Sequence, residues 1–245
     1  MSTENKFPTE IVELPSKGLL YPKESPLSSG TVEMKYMTAK EEDILTNQNY
    51  IQNGTVIDKL LQSLIVDKKV KYGDLLTGDK NAIMIAARIL GYGKDYEITY
   101  YGDKLTIDLS ALDNKPLKEG LFEEGKNEFG FTCPTSGNVL TFKLLSHSDE
   151  IKIDNEIKGL KKINKDASPD LSTRLKHMIT SVDGNEDSKE IRDFVDNRFL
   201  ARDSRELRKY IAEIQPDVDL KFYPEDGPEE GVDIPIGISF FWPDA

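Results

Sequence analysis

The stretch from Val232 to Ala245 reads V-D-I-P-I-G-I-S-F-F-W-P-D-A and holds the single tryptophan, Trp242, beside Phe240 and Phe241. Chain ends fray unless something ties them down. Leaving Ile236, Ile238, Phe240, Phe241 and Trp242 in water would cost about 1.5–3 kcal/mol for each large side chain. The segment is therefore expected either to dock as a strand in the chain's own core or to anchor a partner.

Upstream, the apolar residues change period several times. T-E-I-V-E-L and G-T-V-E-M-K-Y-M alternate apolar with polar, which suits two short strands joined by a loop over residues 22–30. Pro15, Pro22 and Pro26 confine them to edge or interrupted strands. Thr38-Ala-Lys-Glu41 has the form of a capping box and predicts a short helix ending at Asn47. A second helix is expected from Thr55, with Ile57, Leu60, Leu61, Leu64 and Ile65 on one face. A third, over about 80–90, points Ala82, Ile83, Ala86, Ala87 and Leu90 inward and stops at Gly91-Tyr92-Gly93.

The period then shortens. Tyr96, Ile98 and Tyr100, and Leu105, Ile107 and Leu109, flank the turn Tyr101–Lys104 and predict a hairpin. Phe129 and Phe131, with Val139, Thr141 and Lys143, predict another around C-P-T-S-G-N. Helices are expected from Ser148 to about Asn164 and from Ser168-Pro169 to about Ser181. Another starts at Ser188 with Ile191, Phe194, Val195 and Phe199 inward, and a capping box at Asp203–Glu206 opens the last, which Pro216 stops. D-V-D-L-K-F-Y and the terminal stretch read as two strands around the acidic P-E-D-G-P-E-E-G, and residues 1–8 as a frayed tail. The expected architecture is α+β: a helical core with short N-terminal strands, a central β-hairpin insertion and C-terminal strands. It divides as 1–94 (strand pair and helices), 95–145 (β-rich insertion) and 146–245 (helical, ending in a strand pair).

Charge narrows the partners. The formal net charge is −12, which opposes binding to nucleic-acid phosphate and favours basic segments on other proteins. The densest basic run, Lys158 to Lys165, reads as a solvated helix face. No apolar run is long enough to predict a membrane span, and M-S-T-E-N-K-F-P does not read as a secretory signal. One cysteine, Cys133, excludes an internal disulfide and fits a reducing compartment.

The search for chemistry finds little. His147 and His177 lack metal-ligand spacing. Cys133 has no Cys-x-x-Cys partner, and as a nucleophile it would need a base such as His147 across a hairpin. The glycine pairs Gly73/Gly78 and Gly91/Gly93 match no phosphate-binding loop. Asp74 and Asp79 read as loop and helix-cap acids. The expectation is no enzyme, no cofactor and no metal.

Several blocks carry a resemblance. L-P-S-K-G-L-L-Y-P, M-T-A-K-E-E-D-I-L-T-N, G-T-V-I-D-K-L-L, D-L-L-T-G-D-K and A-R-I-L-G-Y-G-K-D-Y, followed by F-F-W-P, fall in residues 11–101 and 203–243. In these blocks and their order the chain resembles the baseplate protein family of contractile-tailed, T-even-like bacteriophages. The resemblance implies a structural or assembly role in the tail baseplate hub. It places the protein in the host cytoplasm during assembly; a hub subunit would then stay in the virion, whereas an assembly chaperone would leave the particle. Its partners would be other hub or tape-measure proteins, with no catalytic residues, nucleic acid or membrane. The family pattern includes Cys-x-x-Cys knuckles; here the first reads Cys133-Pro-Thr-Ser136-Gly137, and the second, Phe222 to Gly227, has no cysteine. No zinc is therefore expected, and the hairpin and tail should be held by packing alone. More loosely, E-E-D-I-L and the helices after it resemble tail assembly chaperones that bind the tape-measure protein. The residues expected to make partner contacts are Leu19, Leu20, Tyr21, Phe240, Phe241 and Trp242, with filling of the chain's own core as their alternative use.

Overall fold

The computed structural model describes residues 8–166, 168–223, 231–236 and 238–241. The expected frayed tail, most of the acidic loop and Trp242 lie outside these residues.

The fold is α+β. Strands β1 (Thr9–Glu13) and β2 (Thr31–Lys35) pair antiparallel, Ile11 facing Glu33. The loop between them closes tightly. Gly18 sits at φ +77°, and a Cβ there would lie 2.4 Å from the Ser28 carbonyl oxygen, so only glycine lets the two arms of the loop meet. Thr38 opens α1 (Ala39–Leu45) as expected, with the Glu41 carboxylate taking the Thr38 amide at 3.0 Å. Asn47 does not merely end that helix. Its side chain accepts the Asn49 and Tyr50 amides and starts a separate short helix, α2 (Gln48–Gln52).

Helix α3 (Val56–Leu64) buries Leu60, Leu61 and Leu64, and Ile65 just beyond it bridges to Met34 of β2. Helix α4 (Thr77–Tyr92) begins ahead of its expected start, because Thr77 donates its amide to Leu145 at 3.3 Å. Gly78 lies where α4 touches the segment after Pro216: a Cβ would fall 1.9 Å from the Pro216 carbonyl oxygen. Strands β3 (Asp95–Tyr100) and β4 (Asp103–Asp108) form the expected hairpin, with Tyr96, Ile98 and Ile107 buried.

The second hairpin, β5 (Phe129–Thr132) and β6 (Val139–Phe142), gains a third strand. Helix α6 (Asp170–Met178) stops early, and Ile179–Val182 leaves as β7 to pair with β6. Ile179, Thr180 and Val182 are β-branched, and the free edge of β6 captures them from the expected helix. This sheet joins the middle segment of the chain to the last. Helix α5 (His147–Ile163) is capped by Ser146, with Asp149 completing the box, and Ser148 is inside it. Helix α7 (Ser188–Asp193) runs into a π turn, Phe194–Arg198, before α8 (Ala201–Ile214). Leu200, outside the expected box, is the cap residue of α8.

Near the end, β8 (Lys221–Phe222) pairs with β9 (Val232–Asp233), and Ile238–Phe241 form a 3-10 turn where a strand was expected. The reason is steric. Phe240 and Phe241 are adjacent, and both are fully buried. A strand sends consecutive side chains to opposite faces and could not bury both on one side. A single contiguous cluster of buried apolar side chains runs from Leu14 to Phe241.

Candidate functional site

Four side chains organise the blocks singled out in the sequence, and each was invisible as such beforehand. The first is Asp79, in the first turn of α4. Its carboxylate accepts the Ser16 amide at 2.9 Å, the Ser16 hydroxyl at 2.7 Å and the Tyr21 hydroxyl at 2.5 Å. Tyr21 in turn accepts the Leu76 amide at 2.9 Å. The loop L-P-S-K-G-L-L-Y-P is thus latched onto D-L-L-T-G-D-K. Burial pushes the Asp79 carboxyl up, and the bonds from Tyr21 and Ser16 recover only part of this.

The second is Asp58, which holds α3, α4 and α5 together. It accepts Tyr72 at 3.0 Å and Lys80 at 3.1 Å, and its other oxygen lies 3.2 Å from His147 Nε2. Lys80 Nζ is 3.2 Å from His147 Nδ1, so both ring nitrogens of His147 are engaged. Burial raises Asp58, but the His147 hydrogen bond and the Lys80 charge outweigh it and leave the carboxyl at about 2. Tyr72 stacks edge-on to His147 at 4.7 Å.

The third is Arg88, almost wholly buried and, among the described residues, without a carboxylate partner. It donates to the carbonyls of Gly93 at 2.8 Å and Asp95 at 3.2 Å, and lies 5.4 Å and 5.9 Å from the Tyr92 and Tyr96 ring centres. Burial lowers its pKa, and its Nε has no hydrogen-bond partner among the described residues. The block A-R-I-L-G-Y-G-K-D-Y is therefore the C-terminal closure of α4, made by Arg88 on the carbonyls that follow.

The fourth, Asp203, corrects the expectation that the C-P-T-S-G-N hairpin rests on packing alone. Asp203 is buried in the first turn of α8, and its oxygens accept the Thr135 amide at 2.8 Å and the Ser136 amide at 3.0 Å. A carboxylate from a distant helix holds this turn. Cys133 is buried beneath it; burial pushes the thiol up, Ser136 offsets this in part, and Asp203 and Asp183 add to the rise. A reactive thiolate wants the opposite surroundings.

The expected contact residues fall mostly inside. Leu20, Tyr21, Phe240 and Phe241 are buried in the chain's own core, and Leu19 is half-buried; Trp242 lies outside the described residues. Phe240 meets Tyr96 edge-on at 4.9 Å, and the Tyr96 hydroxyl donates to the Pro235 carbonyl at 3.1 Å. These side chains close the fold and, in this conformation, present no anchor. The large apolar side chains that do face water include Ile11, Tyr101, Val139, Ile163, Leu200 and Tyr223. The sequence groups Tyr101 with Tyr92, Tyr96 and Tyr100 as side chains half in the core, with a binding surface as the alternative use; the structure buries Tyr96 and leaves Tyr101 facing water.

Compared with protein-family models, with curated proteins and with solved structures, the chain matches none. Among the described residues, no helix is long and apolar enough to cross a membrane, and no group of three His, Cys, Asp or Glu side chains is placed to hold a metal ion.

Proposed function

We propose that this protein is a structural component or assembly factor of a contractile phage tail baseplate hub, acting through protein–protein contacts without bond chemistry. It would be made in the host cytoplasm and have other hub or tape-measure proteins as partners. The resemblance of its sequence blocks to the baseplate family motivates the reading. One structural observation supports treating those blocks as a unit. Blocks far apart in sequence converge around α4: Ser16 and Tyr21 bind Asp79, Arg88 closes the helix, and Tyr96 receives Phe240. The net charge of −12 adds a preference for basic protein surfaces over nucleic acid.

The test is mass spectrometry of purified, mature tailed particles from infected cells, with co-purification of the tagged chain. A structural subunit is found in the particle at fixed stoichiometry with hub proteins. A tail assembly chaperone co-purifies with the tape-measure protein before assembly and is absent from the particle. Recovery with neither would overturn the reading.

A further inference from the structure

Resting on this contact reading, we propose that the tip of the β3–β4 hairpin, Tyr101 with Asp103, is a docking point for an arginine-bearing segment of a partner protein. The tip is a two-residue connection, Tyr101-Gly102, with φ +49° and +93°. Such turns favour Asn, Asp or Gly at the first position, because a bulky side chain is strained at positive φ. Local folding would therefore select against tyrosine here. Burial does not compensate, since Tyr101 is 92% exposed.

The ring is nevertheless supported. Tyr100 stands edge-on to it at 4.5 Å, and Tyr100 rests edge-on against Phe222 of β8 at 5.5 Å. A row of aromatic rings thus leads from the C-terminal strand pair to the tip and leaves most of the outermost ring open to water. The charges around it are unequal. Glu97 is paired with Lys104 at 3.4 Å and Asp108 with Lys94 at 2.6 Å. The Asp103 carboxylate, next to the turn, has no ion-pair or hydrogen-bond partner among the described residues.

An open tyrosine ring two residues from a carboxylate that has no partner among the described residues matches one side chain best. Guanidinium is planar, stacks on aromatic faces and donates in a fork to carboxylates. An ammonium would lose the stacking, and an apolar pocket would bury Asp103 unpaired at a cost. The negative charge of the whole chain would speed the approach of a basic segment.

The test uses the full chain, 15N-labelled, titrated with blocked hexa-arginine and hexa-lysine peptides. Amide shifts at Tyr101, Gly102 and Asp103 should report hexa-arginine binding about two- to fivefold tighter than hexa-lysine. Tyr101→Gly should erase that preference while leaving the melting temperature unchanged or higher, because glycine fits the turn. Asp103→Asn should weaken both peptides at the tip. Equal affinity for the two peptides, shifts elsewhere only, or a lower melting temperature in Tyr101→Gly would overturn the assignment. A protein found in mature particles but without tip binding keeps its function and loses this site. One recovered neither in particles nor with the tape-measure protein, but with arginine-selective tip binding, does the reverse.

Discussion

Tyr21 donates its hydroxyl to Asp79 at 2.5 Å while accepting the Leu76 amide at 2.9 Å. One phenol therefore satisfies the start of α4 and fastens the N-terminal loop to it. Tyr21→Phe keeps the ring and removes the oxygen, leaving a buried amide and a buried carboxylate each short of a partner. The expected loss is about 1–3 kcal/mol. Urea unfolding with an unchanged m-value measures it, and a loss near zero would show the bond to be idle.

Gly78→Ala should also destabilise, against helix propensity. In an unobstructed helix the change would gain up to about 1 kcal/mol. Here the new Cβ would fall 1.9 Å from the Pro216 carbonyl oxygen, so the backbone of the 216–217 segment must move away. Overpacking of this kind costs about 1–3 kcal/mol. A variant more stable than the parent would mean the two segments are not in contact.

Asp203→Ala should free the Cys133–Asn138 turn. Amide exchange at Thr135 and Ser136 should accelerate, and Cys133 should react faster with a thiol reagent in the folded protein. Asp203→Asn keeps an acceptor and should fall between. Unchanged exchange in the alanine variant would assign the turn to packing after all.

Phe240→Ala should cost about 3–5 kcal/mol, the usual range for a buried phenylalanine. Its ring is fully buried against Tyr96 and Phe241. Thermal and chemical melts check this, and a parental melting temperature would contradict the docked position of Ile238–Phe241.

Acid should unfold the protein through two carboxylates. Arg192, by a fork of 2.7 and 3.0 Å, and then His177 hold Glu156 at about 2, and Asp58 also lies at about 2, below ordinary values of 4.5 and 3.8. A depressed carboxyl stabilises the fold above its unfolded pKa and loses that contribution as pH falls through its folded pKa. The melting temperature should therefore fall between about pH 4.5 and 2. Asp79, raised by burial, works in the opposite sense: it favours the fold at low pH, and that contribution fades as pH rises through the folded value. Glu156→Gln should flatten the acid limb; an unaltered slope would remove Glu156 from the account.

Much of the local structure was legible because it depends on neighbours in the chain. The Thr38–Glu41 box, the Leu60–Leu61–Leu64 stripe and the hairpin turn at Tyr101-Gly102 all follow from residues within one or two turns of each other. Strand β7 was not legible, because Ile179–Val182 takes its conformation from the free edge of β6. Asp203 read as a cap because sequence shows its neighbours in α8, while its actual partners are the amides of Thr135 and Ser136.

The sequence by itself determined where apolar faces and turns occur, hence an α+β chain with helices and short hairpins in this order. Only the tertiary structure decided which carboxylates become latches, and that Phe240 and Phe241 turn inward while Tyr101 faces water. The cause is that hydrogen-bond satisfaction and burial are settled between segments distant in the chain. A pattern of residues shows the need for a partner, and only the packed fold supplies one.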